Sequence, residues 1–186
     1  GVVVAVIDTG VSVNEDGYFR LEQGYDFVED DTTPQDENGH GTHVAGTIGQ
    51  RTGNGIGVAG VAPEVTILPV RVLDASGMGS SEDVANGVVW AVDHGADIIN
   101  MSLGGASDSA ALADACAYAY EQGVTVIAAT GNEGFTDHIG FPAAYGTTIA
   151  VGAVDRERKV TFYSNQGKGI DLVGPGGDTS VGMEGG

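Results

Sequence analysis

The sequence predicts an α/β fold of three layers, in which a doubly wound, mostly parallel sheet carries helices on both faces. Two observations support this prediction. Strand-like and helix-like segments alternate at short intervals along the chain. The strand-like segments are also continuously apolar, as strands are when both of their faces are buried.

The first half of the chain begins with a β-branched run at residues 1–7, which predicts a buried strand that ends at Asp8. A polar, turn-rich segment follows at residues 12–24, and residues 25–38 are dense in carboxylates. Residues 40–50 are predicted to form a helix rich in small residues. Residues 52–61 form a loop punctuated by glycine.

The second half alternates more regularly. A strand is predicted at residues 65–73, although Pro69 is unfavourable for the centre of a strand. Ser80 is expected to cap a helix, with Asp83 as the other half of a capping box and Gly95 at the end of the helix. The remaining segments are a strand at 97–103, a helix at 109–122, and strands at 124–130, 147–154 and 170–173.

Composition limits the classes of function. The 186 residues predict one domain, residues 1–186, without an apolar run long enough for a membrane span. No leader precedes Gly1, so we expect any secretion signal to have been removed. Twenty-six acidic against seven basic residues give a net charge of −19, which argues against nucleic acid and anionic membranes as partners. The charge fits cation binding, a salt-adapted surface, or an ordinary solvated acidic face.

The single cysteine, Cys116, lies in the helical segment 109–122 and cannot form an internal disulfide. A buried core thiol is the favoured interpretation, and a catalytic thiol is the alternative.

Three groups of polar or small residues follow the ends of predicted strands, namely Asp8, residues 102–105 and residues 131–132. The carboxyl ends of parallel strands lie at one edge of the sheet, where ligands bind in open α/β folds. We therefore expect these groups to converge.

His40 opens the helix predicted at residues 40–50 and fits a general base whose ring Asp8 orients. The alternative is a polar Asp8 at a strand end and an unrelated surface histidine. A zinc site at His40 and His43 is disfavoured, because their spacing is i, i+3 and no Glu follows His40. We expect His43 to pack and hydrogen-bond inside the protein instead.

Asn132 stands in a glycine-rich turn after a predicted strand. Its amide fits a donor to a developing oxyanion, and the alternative is a turn Asn that tolerates a left-handed backbone.

Four segments together resemble the subtilisin-like serine proteases, in the order of that family and from Gly1 to about Pro175. They are VAVIDTGV at 4–11, HGTHVAGT at 40–47, NMSLGG at 100–105 and GNEG at 131–134. The resemblance implies a subtilisin-like fold in which Asp8 is the orienting acid, His40 the general base and Asn132 the oxyanion donor.

The resemblance also implies how a polypeptide substrate binds. Ser102, Leu103 and Gly104 would pair with an extended substrate as an added strand. Gly77 and Gly79 would form the opposite wall. Ala129 and Gly131 would line the pocket for the side chain before the cut, with room for a large apolar side chain.

The acidic loop resembles a calcium loop of thermostable members, with ligands Asp26, Glu29, Asp31, Thr33 and Gln35. Calcium prefers six to eight oxygen ligands, which alternate carboxylates on a short loop supply. The alternative is an acidic loop without a metal. Two further resemblances are weaker. One is a second calcium loop, with residues Thr52, Asn54, Ile56 and Val58. The other is a cation site formed by carbonyls, with residues Ala143, Tyr145 and Thr148.

The chain departs from the family pattern at its nucleophile, which the family carries in a Gly-Thr-Ser-Met-Ala motif well beyond the Pro175 region. Ser180, in the segment 177–182, echoes that motif but follows Pro175 too closely. We therefore expect an incomplete domain, truncated on its C-terminal side and inactive alone.

Three explanations remain open: a fragment of a longer protein, a nicked protease, and a pseudoenzyme that binds only peptide or calcium. The joint presence of Asp8, His40 and Asn132 favours the first two. The implied parent is a secreted, calcium-stabilised serine endopeptidase. A propeptide or the missing C-terminal segment would be its further partner.

Overall fold

The computed structural model describes residues 1–13 and 20–177, which form one sheet of eight strands and three helices. The helices are α1 (His40–Gly49), α2 (Ser81–Asp93) and α3 (Ala110–Glu121). The strands are β1 (Val3–Asp8), β2 (Arg20–Leu21), β3 (Tyr25–Asp26), β4 (Thr66–Arg71), β5 (Ile98–Met101), β6 (Thr125–Ala129), β7 (Thr148–Val154) and β8 (Leu172–Pro175).

The sheet winds outward in both directions from β1. Its order is β2-β4-β1-β5-β6-β7-β8, with β3 also paired to β4, and all of these neighbours are parallel. The predicted doubly wound parallel sheet is confirmed.

Two hydrophobic clusters cover opposite faces of the sheet. Helices α2 and α3 pack against one face, where Ile7, Ile99 and Met101 are fully buried. Cys116 belongs to this cluster, and burial raises the pKa of its thiol to about 11, so the thiol is held in its neutral form. Helix α1 covers the other face over β1 and β4, where Ala45 packs with Val4, Val6 and Ile67.

The α1-side face is less well covered beyond β5. Along β7 the residues alternate strictly between buried positions, on the side where Ala150 joins the α2/α3 cluster, and half-buried positions on the opposite side. We use the term open face for the half-buried, α1-side residues of β6 and β7, which are Ile127, Ala129, Ile149, Val151 and Ala153.

Strand β4 accommodates Pro69 in its centre. The carbonyl groups of Ile67 and Arg71 accept hydrogen bonds from Glu22 and Phe27 on the β2/β3 side. Because these residues alternate with Pro69 on that side, Pro69 faces the break between β2 and β3, where no ladder donor is needed. The two short strands themselves arise in segments that were predicted as turns and as an acidic loop.

The predicted cap of α2 is present in part. The Ser80 hydroxyl accepts a hydrogen bond from the Asp83 backbone N–H at 3.0 Å. It also donates to the Asp83 carboxylate at 2.6 Å, so this carboxylate bonds to the hydroxyl and does not complete a capping box on the backbone. No helix within the described ranges is both long and apolar enough to cross a membrane.

Candidate active site

Asp8 lies at the carboxyl end of β1 and is fully buried. Its Oδ1 accepts a hydrogen bond from the Thr9 backbone N–H at 2.7 Å and lies 2.7 Å from Nδ1 of His40. Its Oδ2 is buried and has no hydrogen-bond partner within the part of the chain that the structure describes. The carboxylate is therefore withdrawn from water and aimed at one imidazole.

His40 is the first residue of α1, and its side chain is 49% exposed. Since Nδ1 faces Asp8, Nε2 is the nitrogen left for a reacting group. The next residue must be small, because a Cβ on Gly41 would lie 2.2 Å from the Gly10 carbonyl oxygen and 3.2 Å from the Asp8 side chain. Close approach of α1 to the end of β1 thus brings the imidazole to the carboxylate.

His43 lies elsewhere, and the expectation that it packs inside is wrong. The buried side of α1 is formed by Gly41, Ala45, Gly46 and Gly49, whereas His43 is exposed. At 100° per residue, His43 points away from the face that carries Gly41 and Ala45.

Asp36 holds the start of α1 in place, a role that the sequence did not reveal. Its Oδ1 accepts hydrogen bonds from the backbone N–H groups of Asn38 and Gly39 and from the Thr9 hydroxyl, at 2.8–2.9 Å. Its Oδ2 accepts from the backbone N–H and the hydroxyl of Thr42, at 2.9 and 2.6 Å. Partial burial alone would raise the pKa of Asp36, but hydrogen bonds from Gly39, Thr42 and Asn38 outweigh it and lower the pKa to about 2.

We expect Asp36→Asn to destabilise the protein by about 2 kcal/mol at pH 7, because a charge-assisted acceptor is lost. The folded-state pKa lies below the ordinary value of 3.8, so this stabilisation is complete above about pH 4 and is lost as the pH falls towards 2. In urea unfolding, the difference in free energy of unfolding between wild type and variant should therefore narrow from pH 4 to pH 2. The matched control is Asp114→Asn, at an exposed position of α3. A constant difference would contradict the assignment.

The segment after β5 separates two cavities. One, of about 370 Å³, lies between this segment and the loop that contains Gly77 and Gly79, and His40 also lines it. The other, of about 230 Å³, lies between the segment and the turn after β6, and Ala129, Gly131 and Asn132 line it. Ser102, Leu103 and Gly104 border both cavities. His40, Asn132 and the predicted substrate residues thus lie along one cleft, and Asp8 contacts His40 from behind.

The second cavity is more polar than Ala129 and Gly131 alone suggested. Its lining also includes Glu133, His138 and Asn165. No pattern in the sequence pointed to Asn165, which comes from a loop after β7 and reaches the turn only in the folded chain.

The predicted calcium loop begins as a tight hairpin, in which Asp26 and Asp31 exchange two backbone hydrogen bonds. Asp26 is buried, and its carboxylate pairs with Arg71 at 3.0 Å and accepts the backbone N–H groups of Val28 and Glu29. Among residues 1–13 and 20–177, no three carboxylate, imidazole or thiol groups are placed to share a metal ion. The set nevertheless fits calcium in its donor chemistry, because Thr33 and Gln35 add uncharged oxygens.

The two weaker cation predictions fall in different surroundings. Thr52, Asn54, Ile56 and Val58 lie in an exposed loop. Tyr145 and Thr148 flank a turn in which the Tyr145 carbonyl already accepts the Thr148 backbone N–H at 3.0 Å, and Ala143 is buried. Ser180, the residue that echoes the nucleophile motif, lies outside the described residues.

The chain is similar to known proteins in sequence and in structure. The model of the Subtilase family matches residues 1–185. Thermitase from Thermoactinomyces vulgaris is 44% identical over 177 residues, which are 95% of this chain and 63% of thermitase. Minor extracellular protease Epr from Bacillus subtilis (strain 168) is 42% identical over 173 residues, 93% of this chain and 26% of that protein.

A solved structure titled as proteases from Pseudoalteromonas arctica PAMC 21717 superposes with a TM-score of 0.90 at 34% identity, covering 96% of this chain and 64% of that one. This chain therefore spans less than two thirds of the length of each of these three relatives. The match to the family model over residues 1–185 shows that the chain belongs to the subtilase family.

Proposed function

We propose that this chain is the N-terminal and central part of a subtilisin-type serine endopeptidase, whose nucleophilic serine is supplied by the remainder of the domain. The observation that carries the proposal is the 2.7 Å contact between Nδ1 of His40 and the buried carboxylate of Asp8. A base and its orienting acid at the edge of a cleft fit nucleophilic catalysis.

In the proposed reaction, Nε2 of His40 takes the proton of the serine hydroxyl as that oxygen attacks the substrate carbonyl. Asp8 stabilises the resulting imidazolium, and the Asn132 amide donates a hydrogen bond to the oxyanion. His40 then gives the proton to the leaving amine as the C–N bond breaks. Water, deprotonated by the same imidazole, hydrolyses the acyl-enzyme and regenerates the serine.

The substrate is proposed to lie as an extended strand along Ser102, Leu103 and Gly104. These residues border both cavities, so alternate side chains of an extended peptide would enter one cavity and then the other. A polypeptide is the proposed partner, and the net charge of −19 supports this over nucleic acid. A propeptide is proposed as a further occupant of the same cleft. The name of the relative Epr supports an extracellular location.

A specific observation favours an incomplete protease over a catalytically inactive module that binds peptide or calcium. The open face leads directly to Asn132, because Ala129, Val151 and Ala153 line a further cavity with Gly131 and Asn132. Half-buried apolar residues on a sheet face normally pack against another layer. We propose that the remainder of the domain covers this face and thereby delivers the serine beside Asn132.

A fluorophosphonate probe tests the proposal. We expect it to label a serine of the complete gene product, with loss of labelling in His40→Ala, and not to label the 186-residue chain. Labelling at Ser180 would contradict a nucleophile supplied by the remainder of the domain. If the complete product is neither labelled nor able to hydrolyse peptides, the binding module is the better description.

Calcium binding by Asp26, Glu29, Asp31, Thr33 and Gln35 is proposed on their donor chemistry. When bound, the ion would stabilise the loop and take no part in the reaction. We expect chelation to lower the melting temperature of wild type, because an ion that binds only the folded state stabilises it. In Asp31→Asn the shift should be smaller, and in Asp114→Asn unchanged. An unchanged wild-type melting temperature after chelation would contradict the site.

A further inference from the structure

Asn165 is 1% exposed and directs its whole side-chain amide at the turn formed by residues 130–135. Its Oδ1 accepts the backbone N–H groups of Glu133 and Phe135 at 3.1 and 3.0 Å. Its Nδ2 donates to the Thr130 carbonyl at 3.0 Å and to the Glu133 carboxylate at 2.6 Å. Both groups of the amide are therefore used on one turn.

The backbone of Asn165 contacts the same turn. Its N–H donates to the Gly131 carbonyl at 3.1 Å, and its carbonyl accepts the Thr130 hydroxyl at 3.3 Å. Gly131 packs directly against the amide, since a Cβ at Gly131 would lie 2.3 Å from the Asn165 Nδ2. Gly131 also has a φ of +105°. The tight bend that presents Asn132 is thus built on Asn165.

Burial does little to fix the position of the outer part of the turn. Asn132, Glu133 and Phe135 are all exposed, whereas Asn165 beneath them is buried. In a buried site of low dielectric, a fully satisfied amide holds its partners more rigidly than a solvated one does. An oxyanion donor is effective only when its position is set before the charge develops.

We propose that Asn165 is a positioning residue for catalysis, which holds the 130–135 turn so that the Asn132 amide stands where the oxyanion forms. This inference rests on the proposed protease function. Asn165 borders the 230 Å³ cavity but is 1% exposed, so it offers a substrate almost no surface. It acts through the backbone of Gly131 and Glu133, and its bond to the Glu133 carboxylate also fixes a charged group at the edge of the 230 Å³ cavity.

The test uses the complete gene product and p-nitroanilide peptides. Asn165→Ala removes every side-chain contact with the turn, and we expect kcat to fall by up to about 10²-fold, the effect of a displacement near 1 Å. KM should change much less, because the wall formed by Ser102–Gly104 remains. Val88→Ala, which truncates a fully buried residue of α2, is the control for general loss of packing and should leave kcat unchanged.

A second pair of variants separates positioning from mere packing. Asn165→Asp keeps the shape and the acceptor but sets two carboxylates against each other at Glu133, so kcat should fall. The double variant Asn165→Asp with Glu133→Gln restores a donor and an acceptor between these two side chains in the opposite order, although the bond to the Thr130 carbonyl stays lost. The logarithm of its kcat should lie at least halfway from the value of Asn165→Asp back to that of wild type.

Amide hydrogen exchange gives a readout that does not depend on activity. Exchange at Glu133 and Phe135 should accelerate in Asn165→Ala and remain unchanged in Val88→Ala. Unchanged exchange, or an unchanged kcat in an active enzyme, would overturn the inference. A wild-type product that fails to hydrolyse any peptide while exchange responds as expected would overturn the proposed function and the catalytic part of the inference, but not the role of Asn165 in holding the turn.

Discussion

Asp8→Asn is expected to lower kcat for peptide hydrolysis by about 10⁴-fold in the complete gene product, the loss that this exchange causes in a Ser-His-Asp protease. The side chain of Asp8 is fully buried, and its Oδ1 contacts both the Thr9 N–H and Nδ1 of His40. A neutral amide cannot stabilise the imidazolium that forms when His40 takes a proton. If the amide nitrogen faces Nδ1, the imidazole proton moves to Nε2, where the base must be free.

Two measurements test whether the loss of kcat comes from the role of Asp8 as the orienting acid. The substrate KM should change little, because Asp8 lies behind the imidazole and does not border either cavity. His43→Ala is the matched control, since it removes the other imidazole of α1 at an exposed position and should leave kcat unchanged. If Asp8→Asn lowers kcat less than tenfold with His43→Ala unchanged, Asp8 is not the orienting acid.

Much of the arrangement of the site could be predicted from the apolar segments of the sequence and the residues at their ends. Continuous apolar strands predict a parallel sheet, and the carboxyl ends of parallel strands meet at one edge. Asp8 ends such a strand, and Ser102 and Asn132 follow the ends of two others. In the structure Ser102 and Asn132 line the cleft, and Asp8 lies directly behind His40, which also lines it. Their convergence needed only the fold class, without knowledge of the order of the strands.

The supporting residues could not be predicted in this way. Asp36 lies in a segment dense in carboxylates, and nothing in the sequence separates the one that binds the start of α1 from its neighbours. Asn165 is brought to the 130–135 turn by contacts between residues 30 to 35 positions apart in the sequence. Their roles depend on backbone N–H groups, which the amino-acid sequence does not distinguish. A strand of two residues, such as β2, is too short to show a periodic pattern in the sequence.

Asp26 has a partner in the structure that the sequence did not predict. The carboxylate pattern indicated a calcium ligand, whereas the structure pairs Asp26 with Arg71, which is 3% exposed at the end of β4. Burial alone would lower the pKa of Arg71, but Asp26 and Glu37 outweigh it and raise that pKa. The guanidinium therefore remains charged in a site that is closed to water.

Arg71→Met is expected to destabilise the protein by about 3–5 kcal/mol, because removal of one partner leaves the buried Asp26 carboxylate without a counter-charge. Chemical unfolding of the complete gene product at pH 7 measures the effect. Lys159→Met, which breaks an exposed pair with Glu157, is the control and should change stability little.

The double variant Arg71→Met with Asp26→Leu decides between a lost counter-charge and lost packing. A well-packed apolar pair often replaces a buried ion pair at small cost, so the double variant should be more stable than Arg71→Met alone. Calcium adds a second criterion, since an ion bound at Asp26 would restore part of the charge balance. If calcium raises the free energy of unfolding of Arg71→Met more than that of wild type, Asp26 both pairs with Arg71 and binds calcium. A double variant less stable than Arg71→Met would instead show that the contribution of Arg71 is its packing.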